Sequence, residues 1–427
     1  MKRLSVYLDS LKSRYFMLFA CLSLLLATTS CNNDELDPIA PEAQKQYTKA
    51  ELIELALSRM PKTRGNDVRF SMITIKNPVI IQYSTTDDIT IFTSDGQQRI
   101  LPKEESSYNI TFFDDDLSHV VQLKCSEQAI QRLSIGDNGL LSLNIYSNEN
   151  LTALNCANNH LDKIDLKDCP NLYALDVSNN ELTSLEITFL SKLFTLSASY
   201  NRLTNFQVIK EQKIEHLFLT NNQITELNLS EHPKLYQLEV ANNPLRSLNL
   251  SNCRLLSMLD ASFTQMTDLD LSNDINLWSI VLNSVPLKTI NNQLIDSSSF
   301  SFCPALDELD IANTPFSKLD LSNNPDICFV NISGTSITQL DISTLHLLSL
   351  KATRSQLTNL EYGDHGLDDL YELRIESTPF EKISDNIVNL SDALPQRSEK
   401  NPGRLYTYSP FIYLLKIIKQ YNWLINP

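Results

Sequence analysis

The sequence predicts a solenoid in which short parallel strands stack into a continuous sheet, and three observations support this fold class. An apolar pattern of the form L-x-x-L-x-L-x-x-N recurs every 21 residues. It holds its register through repeats that start at Ile130, Leu151, Leu172, Leu193, Ile214, Leu235, Leu256 and Leu277. After a longer repeat of 29 residues it resumes at Leu306, Ile327, Leu347 and Leu370. A fixed period of about 20 to 50 residues is typical of stacked repeat architectures.

The first half of each repeat predicts a short strand. In the repeat that starts at Leu172, Leu175 and Val177 alternate with Asp176, so a strand would bury the two apolar residues and present the Asp. Such a strand is covered only when the equivalent strand of the next repeat pairs beside it. The repeats are therefore predicted to form one parallel sheet over a continuous core.

A turn follows the strand. Position eight, counted from the first apolar residue as zero, is Asn in the first six repeats and Thr, Val or Ser in the last six. An Asn amide can bond backbone groups that the turn would leave unpaired, whereas a hydroxyl or methyl group satisfies fewer of them. We therefore expect the C-terminal half to be less regular.

The second half of each repeat has the same L-x-x-L-x-L form, as in Leu182, Leu185 and Ile187, and leaves no room for a full helix. This nested 21-residue repeat resembles a class of bacterial leucine-rich repeats that is also found in internalin-like surface proteins. The resemblance covers roughly Val120 to Ile383. It implies a leucine-rich-repeat solenoid with a parallel sheet on the concave face and an extended, turn-rich convex face. This scaffold hosts many different binding partners.

Five segments are expected: a signal peptide at 1–30, a tether at 31–46, an N-terminal helix with a small β cap module at 47–119, the solenoid at 120–390 and a C-terminal strand-helix cap at 391–427. Thr48 and Glu51 have the spacing of a capping box that starts a helix reaching about Met60. Strands are predicted at Phe70–Ile75, Val79–Tyr83, Ile89–Phe92, Tyr108–Phe113 and Leu405–Tyr408, with a C-terminal helix at Pro410–Tyr421 and a final strand at Trp423–Ile425. Both modules would cover ends of the sheet that are otherwise unpaired.

The leader predicts export. Basic residues precede an apolar run from Tyr15 to Ala27, which is a secretory pattern and is shorter than the roughly 20 residues that span a bilayer. The residues before Cys31 resemble a bacterial lipoprotein box, except that Thr28 stands where Leu is usual. We expect Cys31 to carry a lipid and the protein to be an outer-membrane lipoprotein displayed at the cell surface. Simple secretion with cleavage near Ser30 is the alternative.

The net charge limits the classes of partner. Removal of residues 1 to 30, with four basic residues and Asp9, takes it from -16 to -19. So acidic a surface is repelled by phosphate backbones and anionic lipid, which argues against nucleic acid and leaves the N-terminal lipid as the membrane contact. A protein partner, favoured if basic, or a glycan is expected, and the chain is expected to be a monomer. The alternative is that the acidity serves only solubility.

Motifs for catalysis, cofactors and metals are missing from the sequence. It has no glycine-rich phosphate loop, no H-E-x-x-H and no G-x-S-x-G. The six histidines are scattered, and Asp114–Asp116 lacks the alternating carboxylates of a calcium loop. The cysteines of the repeats occupy inward or bend positions, where packing is the expected role. No cofactor and no metal is expected.

The candidate site is therefore the concave strand face. Position four carries a central acidic stripe, and position one carries aromatic residues on several repeats. The ligand-binding candidates are Tyr173, Asp176, Phe194, Phe218, Tyr236, Glu239, Asp260, Trp278 and Asp310. Exposed aromatics are typical of interface anchors. The alternative is that the position-one rings pack against one another along the strand edge.

Two functional classes agree with these features. The first is a surface-displayed protein that recognises a protein partner on the concave face, as in adhesion. The second is a glycan-binding surface lipoprotein whose aromatic rings stack on sugars. An enzyme is the less favoured reading, because no catalytic constellation accompanies the repeats.

Overall fold

The structure is a computed structural model that describes residues 47–59, 68–103, 105–112, 117–126, 129–364, 367–395, 402–407 and 423–426. The chain divides into two compact units, Met1–Ile214 and Glu215–Pro427, called here the N-terminal and the C-terminal unit. The predicted signal peptide, the tether, Cys31, Asp114–Asp116 and the predicted helix at Pro410–Tyr421 lie outside the described residues.

Helix α1 (Lys49–Ser58) begins at the predicted capping box. The Thr48 hydroxyl accepts from the backbone N–H of Glu51 at 3.3 Å, and the Glu51 carboxylate accepts from the Thr48 backbone N–H at 2.7 Å. Ala56 of this helix packs with Ile73 and Leu141, which anchors the helix on the strands that follow.

The predicted β module is confirmed, with two additional strands. Its six strands are β1 (Val68–Thr74), β2 (Val79–Thr85), β3 (Ile89–Thr93), β4 (Gln98–Leu101), β5 (Glu105–Ile110) and β6 (His119–Lys124). The apolar phrase that opens at Val120 is not a stacked repeat, because β6 pairs antiparallel with both β1 and β3. Strand β4 completes a hairpin with β3 and was missed, because Gln98 and Arg99 interrupt the apolar alternation.

The module covers the first repeat on both of its strands, β7 (Ile130–Ser134) and β8 (Leu140–Ile145). β2 pairs antiparallel with β7, and β1 pairs antiparallel with β8. Asn138, the first Asn of position eight, accepts from the backbone N–H of Ile80 at 2.8 Å and donates to its carbonyl at 2.6 Å. These contacts supply the hydrogen bonds that a preceding repeat would have made.

Parallel strands of the main sheet follow, one for each remaining repeat and two after the last repeat. In the N-terminal unit they are β9 (Ala153–Asn155), β10 (Ala174–Asp176) and β11 (Thr195–Ser197). In the C-terminal unit they are β12 (His216–Phe218), β14 (Gln237–Glu239), β16 (Met258–Asp260), β18 (Ser279–Val281), β21 (Glu308–Asp310), β22 (Phe329–Asn331), β24 (Ser349–Lys351), β26 (Glu372–Arg374), β27 (Gly403–Tyr406) and β28 (Trp423–Asn426).

The second face of the repeats is extended and turn-rich, as predicted. Its short strands are β13 (Glu226–Asn228), β15 (Ser247–Asn249), β17 (Asp268–Leu269), β19 (Thr289–Ile290), β20 (Gln293–Leu294), β23 (Gln339–Asp341) and β25 (Asn359–Glu361). On the main sheet, Leu238, Leu259 and Ile280 pair residue by residue, and the same register continues to β26. The irregularity expected after the Asn residues end therefore does not reach these strands.

The Asn residues of position eight bond backbone groups at the turn, as predicted, and Asn201 bonds groups of two successive repeats. Asn201 Nδ2 donates to the carbonyl of Val177 at 3.0 Å and to that of Ala198 at 3.1 Å, and its Oδ1 accepts from the N–H of Leu182 at 3.0 Å. Thr335 makes a single bond there, from its hydroxyl to the Ile332 carbonyl at 2.7 Å. The hydroxyl bonds only its own repeat, which is the difference that the residue types predict.

Helix α2 (Ser384–Ala393) follows the last repeat and was not predicted. Strand β27 pairs parallel with β26, and β28 pairs parallel with β27. Trp423 is fully buried and donates from its indole N–H to the Pro395 carbonyl at 2.9 Å. A Cβ atom at Gly403 would lie 2.5 Å from the Trp423 ring, so only glycine allows this close approach.

Candidate functional site

Two columns of outward side chains, at positions two and four of the repeats, line the main sheet. On β14, β16, β18 and β21 of the C-terminal unit they are Gln237, Glu239, Met258, Asp260, Ser279, Val281, Glu308 and Asp310. We call these eight residues the acidic end, because four are carboxylates and none is Lys or Arg. It contains three of the predicted site residues, Glu239, Asp260 and Asp310, in one unit and one sheet.

The carboxylates of position four also support the turn that follows each strand. Asp260 Oδ1 accepts from the Ser262 N–H at 3.0 Å, and Asp310 Oδ1 accepts from the Ala312 N–H at 2.9 Å. Asp176 in the N-terminal unit does the same with Ser178. One oxygen of each residue is therefore a structural group, and the recognition role expected of the stripe depends on the other oxygen.

The remaining oxygens differ in their surroundings. Asp310 Oδ2 accepts from Asn331 Nδ2 at 2.8 Å, while Glu239 Oε1 accepts from Gln237 Nε2 at 2.8 Å. Among the described residues, Asp260 Oδ2 has no hydrogen-bond partner. Burial raises the pKa of Glu239 and of Asp310, and the charge of Asp260 raises both further. These carboxylates are incompletely solvated, so a donor or cation from a ligand would stabilise their charged forms.

The position-one aromatics pack against their neighbours. Tyr173 and Phe194, on successive repeats of the N-terminal unit, stack with centroids 4.8 Å apart and planes inclined by 8°. Tyr236 meets His216 edge to face at 5.8 Å. The alternative that the position-one rings pack against one another is confirmed for Tyr173 and Phe194, although Tyr173 keeps 46% of its surface exposed. Tyr236 packs instead on a residue of position two.

The expectation of an exposed ring is wrong for Trp278 and Phe218. Trp278 is 7% exposed and Phe218 is 9% exposed. In the backbone ladder the Trp278 N–H donates to the Ser257 carbonyl, and both residues are buried. Phe218 pairs in register with Glu239, which lies beside it on the next strand. The part of these two residues in ligand binding stays a prediction.

The structure presents two aromatic rings that the sequence reasoning missed, Tyr200 in the N-terminal unit and Phe263 in the C-terminal unit. They are 59% and 53% exposed. Both occupy position seven, where the backbone has positive φ in every repeat, for example +55° at Asn242 and +56° at Phe263. Bulky residues rarely adopt this conformation. The signal was available in the sequence, because position seven is Asn in Asn158, Asn179, Asn221, Asn242 and Asn313.

Within the described ranges, no three His, Cys, Asp or Glu residues are grouped so as to hold a metal ion. Likewise, no helix there is both long and apolar enough to cross a bilayer. The thiols of Cys169, Cys253 and Cys303 are buried, and burial raises the pKa of each to about 12. They remain protonated at neutral pH, which agrees with packing.

No protein-family model and no curated protein sequence matches the chain. Among solved structures, the functional domain of InlJ from Listeria monocytogenes, described as including a cysteine ladder, is similar with a TM-score of 0.51 and 20% sequence identity over 65% of this chain and 68% of that chain. This likeness agrees with the stacked parallel strands. The chain is a leucine-rich-repeat solenoid.

Two further leucine-rich-repeat structures give lower scores, and the fold assignment does not depend on them. The internalin inlF from Listeria monocytogenes has 19% identity and a TM-score of 0.46 over 58% of this chain and 81% of that chain. YopM, a leucine-rich effector protein from Yersinia pestis, has 22% identity and a TM-score of 0.48 over 58% and 72% of the two chains.

The leucine-rich-repeat solenoid also contains a buried carboxyl group outside the strand face. Asp274 lies three residues before the start of the next repeat. This is the bend position, which Cys253 and Cys303 occupy in the neighbouring repeats. It is 1% exposed, and neither carboxyl oxygen has a hydrogen-bond partner among the residues that the structure describes. Burial, with the nearby charge of Asp270, raises its pKa to about 7.

Proposed function

We propose that this leucine-rich-repeat solenoid is a surface-displayed binding protein that recognises a basic region of a protein partner on the main sheet of its C-terminal unit. The observation that carries the proposal is the acidic end, where Glu239, Asp260 and Asp310 lie within four successive strands and no Lys or Arg occupies the two columns of those strands. Partial burial strengthens a charge-assisted hydrogen bond to such carboxylates. An Arg or Lys side chain is the group that supplies one.

The exposed ring of Phe263 supports the same surface. Phe263 belongs to the same repeat as Asp260 and follows it by three residues at the end of β16. An exposed aromatic beside a carboxylate can receive the apolar stem or the charged head of a basic side chain. Display at the cell surface would rest on the leader and on lipidation of Cys31, and replacing Cys31 by Ser should then release the chain from the membrane fraction.

Affinity capture of proteins from an extract of cells that could supply the partner tests the proposal with three forms of the chain as baits. These are the parent chain, a site variant with Glu239→Gln, Asp260→Asn and Phe263→Asn, and a control with Glu226→Gln and Glu361→Gln on the second face, where both residues are exposed. We expect the parent and the control to capture a protein that the site variant does not capture, with the clearest difference at low salt. If all three baits capture the same proteins equally, the acidic end is not the binding site.

A glycan-binding role is the second candidate, favoured by the exposure of Tyr173. Because Phe194 stacks on one face of this ring, at most the other face is open to a sugar. A glycan array with the parent and with Tyr173→Ala separates the two functions. The glycan role would be favoured if the parent and the site variant bind a glycan that Tyr173→Ala does not bind.

A further inference from the structure

The acidic end has a counterpart on the same sheet of the C-terminal unit. On β24, β26 and β27 the two columns carry Ser349, Lys351, Glu372, Arg374, Arg404 and Tyr406. We call these six residues the basic end. Between the two ends, β22 contributes the uncharged pair Phe329 and Asn331. Charge therefore changes sign along the sheet, from four carboxylates at one end to three cations and one carboxylate at the other.

Contacts within the basic end leave positive charge in excess. Glu372 Oε1 accepts from Arg374 Nε at 2.9 Å, while its other oxygen lies 3.8 Å from Lys351 Nζ. The Arg374 guanidinium also covers the Tyr406 ring, 3.8 Å from its centroid. Glu372 is thus shared by two cations, and the exposed Arg404 adds a third. Burial raises the pKa of Glu372, but hydrogen bonds from Arg374 and Ser349 and the charges of Lys351 and Arg374 hold it below its usual value.

The two ends have a defined separation. β16 and β26 are five strand steps apart in the sheet order. At about 4.8 Å for each step, Asp260 and Arg374 are separated by about 24 Å along the sheet. An α-helix of about 16 residues spans this distance, and so does an extended segment of about seven.

We propose that the main sheet of the C-terminal unit recognises a charge-segregated protein segment, with basic side chains over the acidic end and acidic side chains over the basic end about 24 Å away. This proposal rests on the proposed function and adds that the partner segment carries opposite charges at its two ends. A uniformly basic partner would gain at the acidic end and be repelled by Lys351, Arg374 and Arg404. Charge complementarity along the whole sheet selects a partner with both signs.

Three alanine-based helical peptides of about 20 residues test the polarity on the full chain. The segregated peptide has its lysines in the first third and its glutamates in the last third. The alternating peptide has the same composition with the charges interspersed, and the basic peptide has lysines only. At low salt we expect the segregated peptide to bind at least about tenfold more tightly than the alternating one.

Matched variants of the chain identify the surface. Lys351→Gln with Arg374→Gln, and separately Glu239→Gln with Asp260→Asn, should each remove most of the preference for the segregated peptide. Lys288→Gln with Lys318→Gln, which neutralises two exposed cations of the second face, should leave it unchanged. Equal loss in this control would mean that net charge, not the main sheet, governs binding.

The outcomes separate this proposal from the one on which it rests. Equal binding of the segregated and alternating peptides overturns the polarity. Tightest binding of the basic peptide also overturns it, while the proposed basic partner stands. No binding of any peptide to the parent counts against both. Sedimentation of the chain alone detects a dimer, and a dimer that Lys351→Gln with Arg374→Gln dissociates would make a second copy the occupant and overturn the proposal.

Discussion

Two columns of buried side chains, one at the turn and one at the bend of the repeats, both meet the backbone of the preceding repeat. They differ because only the bend column contains a buried carboxyl group. The turn column is position eight, and the bend column consists of the residues three before each next repeat. Asn201 of the turn column donates to the carbonyl of Val177, 24 residues earlier, at 3.0 Å. Asn324 of the bend column donates to the carbonyl of Phe300, also 24 residues earlier, at 3.1 Å. Both columns thus face carbonyl acceptors. Apolar residues such as Val285 and Leu190 are also buried in them, but a polar side chain is accommodated there only if it can donate.

Asp274 is where the bend column departs from this rule. Its neighbour Cys253 donates from its thiol to the Leu229 carbonyl at 3.3 Å. An ionised carboxylate has only acceptors to offer, so Asp274 fits this column only when it carries a proton. A polar side chain in either column therefore stabilises the fold when it donates a hydrogen bond to a carbonyl of the preceding repeat.

The largest expected effect comes from Asp274→Asn, because an amide can donate as Asn324 does. The folded pKa of Asp274 is raised to about 7 from an ordinary value of 3.8. Protonated Asp274 therefore contributes stability that is fully present below about pH 4 and is lost as pH rises through about 7. Above that pH the ionised group costs about 4 kcal/mol. Urea unfolding at pH 8 should show Asp274→Asn to be more stable than the parent by about 3 to 4 kcal/mol.

The pH series supplies the control for that experiment. The difference between Asp274→Asn and the parent should shrink toward zero near pH 4, since the parent is then protonated. Asn324→Asp should show the reverse, with a loss of stability that grows between pH 4 and pH 8. A difference between Asp274→Asn and the parent that does not change with pH would show that Asp274 does not titrate in the folded state.

Sequence reasoning recovered the features that depend on the repeat period. The roles of Asn201 and Thr335 follow from residue type alone, because an amide has both donors and an acceptor and a hydroxyl has fewer. The burial of Trp278 could not be read from its position, since it depends on the neighbouring side chains. Phe263 was missed because its position shows no apolar period, although the Asn residues at the same position of other repeats indicate a positive φ, which a bulky residue rarely adopts.

The second prediction sharpens the comparison within the turn column. Asn201→Ala removes four hydrogen bonds and leaves the Val177 carbonyl and the Leu182 N–H without that partner, at a cost of roughly 2 kcal/mol or more. Thr335→Ala removes one hydrogen bond and should cost about 1 kcal/mol. Urea unfolding of both variants measures the difference. Equal costs would mean that water replaces the Asn201 contacts, so that the Asn residues do not join the repeats.

The smallest expected effect on stability concerns Phe263, beside the turn column. Its positive φ of 56° is unfavourable for a bulky residue, whereas Asn adopts it readily. Phe263→Asn should therefore stabilise the chain by about 1 kcal/mol. Phe263→Ala is the matched control, because it removes the ring but keeps a side chain that is equally disfavoured in this conformation.

The same two variants connect stability with binding. If the ring contacts the partner, both should bind the segregated peptide more weakly than the parent, although only Phe263→Asn becomes more stable. Strain retained at position seven would then be explained by function, since Asn at this position occurs in neighbouring repeats. Unchanged peptide binding by both variants would remove Phe263 from the site. Unchanged stability of Phe263→Asn would show that no strain is stored at this turn.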